Sequence, residues 1–317
     1  MTSEALTTAV QAAKEFAQAA KAPSTRRAYR ADWRAFTAWC GSRNLSFFPA
    51  SPETVAMYLS QLANNGRKVA TIERALAAIA EAQRAAEYAN PRQSAVVRSV
   101  LQGIRRTKGT AQNQKTPISI EDLHVIVAAL PDGGKGVRDR AILLLGFAGA
   151  FRRSELTALD VADLSVTSEG LTVTLRRSKT DQEGAGRKVG IPRGNGLCPV
   201  RAVTEWLAWL QARLGDGVST AGPLFRTFDR HGRLLGNRLD GKDIADLIKT
   251  HTKRAGLDAT RFSGHSLRAG LATAAAKAGK SERTIMAQTG HKSATMVRRY
   301  IRDADLFGDN AAKGIGL

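Results

Sequence analysis

Residues 265–300 read HSLRAGLATAAAKAGKSERTIMAQTGHKSATMVRRY. Spacing alone puts three helices here: His265 to Ala278, Glu282 to Thr289 and Ala294 to Ile301. His265 and Arg268 lie three apart on the opening turn of the first helix, so their side chains share a face. A helix start also offers unpaired N–H groups and partial positive charge. Imidazole and guanidinium together at such a place make a cradle for a phosphate. Taken alone, H-x-x-R recurs by chance, and a surface His beside a salt-bridged Arg is the plainer reading. Gly290-His291 follows 22 positions after Arg268, and Tyr300 follows His291 by nine. A lone Tyr late in a helix is ordinary packing. This one has Arg298, Arg299 and Arg302 around it, and nearby cations lower the cost of a phenolate whose free pKa is about 10.

Upstream, a strongly apolar helix is expected from Arg138 to Ala150, and Phe151-Arg152-Arg153-Ser154-Glu155-Leu156 starts another. Arg152 therefore sits at a helix junction, where a buried helix can hold it rigidly. The alternative is a surface Arg paired with Glu155, three positions on. Leu164–Thr167, Leu171–Leu175 and Lys188–Ile191 read as short strands of a small antiparallel sheet. The spacing predicts further helices over Pro199–Leu214 and Asp240–Ala255, and Ser119 with Asp122 caps a helix after residue 118. Thr107 to Pro117 (TKGTAQNQKTP) is polar and aperiodic and reads as a linker. Before it the chain is all helix: a run from Arg26 to Cys40 with Ser24 ahead of it, another opened by Ser51-Pro52-Glu53, then Val69 to Tyr88, and Ser94 to Arg106. Tyr29, Trp33, Phe36 and Trp39 recur at helical spacing and read as packing core. The fold class is mainly α: an all-helical first domain (1–106), a linker (107–117) and a mostly helical second domain with a small antiparallel sheet (118–317).

The 317 residues carry 48 Lys and Arg against 28 Asp and Glu, a net charge of +20 with a pI near 10.7. The excess is spread over both halves and favours a polyanionic partner. Two cysteines, Cys40 and Cys198, make neither a disulfide framework nor a zinc spacing and fit a reducing cytosol. The first residues lack the basic stretch and apolar core of a signal peptide, and no apolar run is long enough for a bilayer. A cytoplasmic protein without membrane partners is expected. There is no G-x-x-x-x-G-K-[ST], no H-E-x-x-H and no compact acidic set for two metals. Phosphate chemistry here would use neither metal nor nucleotide cofactor. It would need an activated side-chain nucleophile, cations for the phosphate and an acid for the leaving oxygen.

These boxes, in this order and spacing, resemble the tyrosine recombinase (phage integrase) family, with its Cre-like and Xer-like site-specific recombinases. Phe151 to Leu156 resembles the family's first Arg box, His265 and Arg268 its H-x-x-R, Gly290-His291 its G-H box, and Tyr300 its nucleophile. The resemblance covers about residues 24–310. It implies a helical core-binding (SAM-like) DNA-binding domain, then a catalytic domain of the DNA breaking-rejoining type. No separate arm-binding domain is expected ahead of Ser24. Arg152, Arg268 and His291 would hold the non-bridging oxygens of the scissile phosphate, and Glu155 would support them. Tyr300 would form a 3′-phosphotyrosyl bond, with His265 assisting proton transfer. The family also uses a Lys between two strands of its sheet. That role goes to Lys179, with Lys188 as the alternative. The implied partners are a double-stranded DNA recombination site and, in synapsis, a homotetramer. Two rivals stay open: a type IB topoisomerase-like relaxing enzyme, and a catalytically silent DNA-binding protein.

Overall fold

The computed structural model describes residues 3–111, 115–176, 185–214 and 222–304. The chain divides into two units, residues 1–113 and 114–317.

The first unit contains α1 (Ser3–Ala19), α2 (Pro23–Gly41), α3 (Pro52–Asn64), α4 (Val69–Ala85) and α5 (Ala95–Lys108). Helix α1 was not singled out by spacing. Helix α2 begins at Pro23 with Ala22 as its N-cap, so Ser24 lies within the first turn rather than capping it. Proline at the first helical position sacrifices no hydrogen bond and presets φ, which outweighs the serine. Ser51 does cap α3, accepting from Thr54 N at 3.1 Å. Three of the four stripe aromatics pack as expected: Phe36 is buried with Leu59, Ile72, Leu76 and Ile79, and Trp33 and Trp39 lie against that core, whereas Tyr29 stands outside it with Lys21 over its ring. Helix α5 continues through Thr107 and Lys108, into the stretch read as linker.

The second unit runs α6 (Ile120–Ala128), α7 (Gly134–Ala148), α8 (Arg153–Ala158), β1 (Leu164–Val166), β2 (Gly170–Leu175), β3 (Arg187–Pro192), α9 (Pro199–Leu214), β4 (Arg226–Phe228), β5 (Leu234–Arg238), α10 (Gly241–Arg254), α11 (Ser266–Lys277), α12 (Glu282–Thr289) and α13 (Ala294–Ala304). β1, β2 and β3 form an antiparallel sheet in sequence order, with Val173 opposite Val189. β4 and β5 form a second, two-stranded sheet that spacing did not anticipate. Ser119 and Asp122 make a reciprocal capping box on α6.

Helix α7 is the spine of this unit. Ala141 to Leu145 are all buried, in one core with Trp206 and Leu210 of α9 and Val173 and Val189 of the sheet. A helix buried nearly all round has few ways to shift, so the turn leaving its C-terminus is rigidly held. A smaller core, Ala272, Ile285 and Val297, ties α11, α12 and α13 together.

Candidate active site

Arg152 leaves α7 and serves as N-cap of α8. Glu155 holds it twice, accepting from its backbone N at 2.8 Å and its Nη1 at 2.6 Å. The carboxylate is 1% exposed. The pairing seen as the plain alternative is therefore real, yet it aims Arg152 rather than parking it on the surface.

Arg268 lies on α11 and is 1% exposed. Its Nη1 donates to Ala150 O at 2.7 Å, and its Nη2 to His291 Nε2 at 3.1 Å. Ala150 offers that carbonyl from a left-handed backbone, φ 48°. Burial pulls the Arg268 pKa down to about 10; the Arg152 charge adds to this, and Glu155 and Tyr300 oppose it. A buried cation beside another cation, with one carboxylate between them, is a site short of negative charge.

His291 follows Gly290, which ends α12 in the left-handed conformation (φ 66°). Its ring is pushed down to a pKa of about 4, by burial first and then by Arg268 and Arg152, so it is neutral at pH 7. His265 is the exposed N-cap of α11, and its Nε2 stands 3.3 Å from Tyr300 Oη. Tyr300 is half-buried on α13, three residues after the fully buried Val297, and its ring centroid is 6.1 Å from that of His291. The structure thus brings Arg152, Glu155, His265, Arg268, His291 and Tyr300 into one cluster from α8, α11, the α12 turn and α13.

Of the arginines flanking Tyr300, Arg298 has a carboxylate partner on the neighbouring helix. Arg298 Nε donates to Glu282 at 2.8 Å, tying α13 to α12. The charges of Arg268 and Tyr300 couple.

Lys179 lies outside the described residues. Lys188 is exposed on β3, where burial alternates and its neighbours Arg187 and Val189 face inward. Arg187 belongs to the site and was missed. Its Nη1 donates to Ala287 O at 3.2 Å and Gln288 O at 3.3 Å, in the last turn of α12. Its Nη2 is buried with no hydrogen-bond partner among the described residues. Burial lowers its pKa; Glu155 opposes this and Arg152 adds to it. Gln288 Nε2 donates to Ala148 O at 2.8 Å, so the turn before His291 is pinned to both β3 and α7. Among the described residues, no three His, Cys, Asp or Glu side chains group to hold a metal ion, and no helix is long and apolar enough to cross a membrane.

The phage integrase family model matches residues 118–306, and the phage integrase N-terminal SAM-like domain model matches residues 15–89. An integrase/recombinase XerD homolog of Selenomonas ruminantium is 41% identical over 306 residues, 94% of this chain and 87% of that protein. Recombinase Cre of Escherichia phage P1 is 27% identical over 288 residues, 86% of this chain and 82% of that protein. In fold, the chain is similar to a lambda integrase (75–356) dimer bound to a COC′ core site, with TM-score 0.59, 17% identity and 94% of both chains covered. It is also similar to XerH recombinase in a post-cleavage complex with palindromic difH substrate, with TM-score 0.58, 17% identity, and 81% of this chain and 70% of that one covered. The chain belongs to the phage integrase family and is a site-specific tyrosine recombinase.

Proposed function

We propose that Tyr300 is the nucleophile of this recombinase and that the cluster around it works without metal or ATP. His265 Nε2 takes the proton from Tyr300 Oη as that oxygen attacks the scissile phosphorus. Arg152 and Arg268 donate to the non-bridging oxygens and offset the charge of the pentacovalent state. The P–O5′ bond breaks, Lys179 protonates the departing 5′-oxygen, and a 3′-phosphotyrosyl bond remains. A 5′-hydroxyl from another strand then attacks that phosphorus and expels Tyr300. The energy of the phosphodiester is kept throughout.

The observation that carries this reading is the 3.3 Å approach of Tyr300 Oη to His265 beside the buried Arg268 and the part-buried Arg152. Apo contacts of this kind tighten when substrate binds. The partner is a double-stranded DNA recombination site, consistent with the charge of +20. Each chain supplies one Tyr300, and exchanging two duplexes cuts four strands, so the working assembly is a homotetramer. Its place of action is the cytoplasm, where such DNA resides.

The test is Tyr300→Phe on a labelled duplex carrying the site. Binding should persist and the covalent adduct should vanish; an adduct that survives denaturing gels would end the assignment. Lys179→Ala should lose cleavage on ordinary DNA and regain it on a 5′-thiolate leaving group, which needs no acid. If Lys188→Ala shows that rescue instead, the acid is Lys188.

A further inference from the structure

Arg187 opens β3 and stands opposite Leu175, the last residue of β2. Its side chain leaves the sheet and reaches the last turn of α12, where Nη1 donates to Ala287 O at 3.2 Å and Gln288 O at 3.3 Å. It also lies under the residue that follows the helix. A Cβ built on Gly290 would stand 3.0 Å from Arg187 Cζ, 3.0 Å from Nε and 3.1 Å from Nη2. Three atoms of one rigid plane at nearly equal distance from a point put that point over the plane's face, so the guanidinium lies flat beneath Gly290. Only glycine leaves room there, and its φ of 66° is the step that delivers His291. Gln288 fastens the same turn a second time: Nε2 donates to Ala148 O at 2.8 Å and to Gly190 O at 3.3 Å. Ala148 lies two residues before Ala150, whose carbonyl holds Arg268.

The plain reading is a cation at a helix C-terminus, where it suits the carbonyls and the dipole. Two observations ask for more. Nη2 is buried with no hydrogen-bond partner among the described residues, and a side chain kept only as a cap would not bury an unmet donor. Burial also works against its charge, and Arg152 adds to this while Glu155 opposes it. We infer that Arg187 is a positioning residue for the cleavage step: it clamps the turn after α12 to β3, so that the His291 ring is held where the phosphate binds. Arg187 touches no reacting atom and acts through His291. The clamp needs an arginine's length to cross from β3, its donors for two carbonyls and its flat face for Gly290. Its charge is felt at Arg268 and at His291, which sets it within reach of the groups that meet the phosphate. The inference rests on the phosphate-holding role that the family resemblance implies for His291.

The experiment is single-turnover adduct formation by the full chain on a duplex with a 5′-thiolate leaving group. That leaving group needs no acid, so Lys179 drops out of the rate and losses on the phosphate side stand alone. Arg187→Met should form adduct about 10–100-fold more slowly at saturating DNA, the scale of a group displaced by about 1 Å, while DNA affinity stays within about threefold. In the His291→Asn background the same change should cost about threefold or less, because no ring is left to misplace. Equal losses in both backgrounds overturn the inference, and so does a wild-type rate for Arg187→Met. A variant slow on ordinary DNA alone also overturns it, and gives Arg187 to the hairpin that bears the acid. If Arg187→Met does not fold, Arg187→Lys takes its place in the same cycle. If wild type forms no adduct on any DNA, the proposed reaction fails instead, and hydrogen exchange decides the clamp. Residues 287–291 should exchange at least about tenfold faster in Arg187→Met than in wild type, with α7 unchanged; equal exchange overturns the clamp.

Discussion

At Glu155 one buried carboxylate serves two donors of the same residue, Arg152 N and Arg152 Nη1. Glu155→Gln keeps the shape but replaces one acceptor with an NH2 that must face a donor. Leaving a buried donor unmet costs about 1–3 kcal/mol, and a misaimed oxyanion donor costs about 10²–10³ in rate. Urea denaturation should show the first and a single-turnover adduct assay the second, with DNA affinity changing least. An unchanged adduct rate would detach Glu155 from the chemistry. His291 supplies a pH prediction of definite sign. Its folded pKa of about 4 is below the ordinary 6.5. The unfolded chain thus takes up a proton between pH 6.5 and 4 that the folded chain refuses, and stability falls as pH drops through that window. Above pH 6.5 the residue adds no pH dependence. The urea midpoint of wild type should decline more steeply from pH 6.5 to 4 than that of His291→Asn; equal slopes would refute the depressed pKa.

At the scale of elements, the site depends on how α12 stops. Gly290 turns the chain with φ 66°, and a Cβ there would stand 3.0 Å from Arg187 Cζ. Gly290→Ala therefore combines left-handed strain of about 1–2 kcal/mol with pressure on the arginine that holds carbonyls in the last turn of α12. Thermal unfolding should move down and cleavage should fall; a variant with wild-type values in both would show that the turn tolerates repositioning. Much of this level could be read beforehand. Pro199–Leu214 and Glu282–Thr289 were predicted to the residue, because proline, apolar spacing and glycine mark their ends. The β4–β5 hairpin was not, since β5 is largely exposed and gives no alternating signal. Arg187 was invisible for a related reason: the strand was read as starting at Lys188, which left Arg187 as a loop cation, and the carbonyls it binds are 100 and 101 positions away.

Across the whole molecule, two units with separate cores carry one large positive charge. Composition and periodicity sufficed for the mainly α class, while the cluster drawn from four distant boxes was legible only through the resemblance to the tyrosine recombinase family. They could not say which of 48 basic side chains touch DNA, since charge alone has no direction. The fold narrows that question in the first unit. Arg27, Arg30 and Arg34 are all exposed on α2 at spacings of three and four, so they share one face. If that face tracks the phosphate backbone, each contact contributes about −0.9 to the slope of log affinity against log salt. Replacing all three with Ala in the full chain should make the slope shallower by about 2.7. The covalent cluster is left intact, so the adduct should still form once DNA is saturating. Fluorescence anisotropy over a salt series measures the slope, on the recombination site and on unrelated duplex. A uniform loss on both marks phosphate contacts, and a loss confined to the specific site marks base reading by this face. An unchanged slope would remove α2 from the DNA footprint and turn the search to the exposed Arg98 and Arg106 of α5.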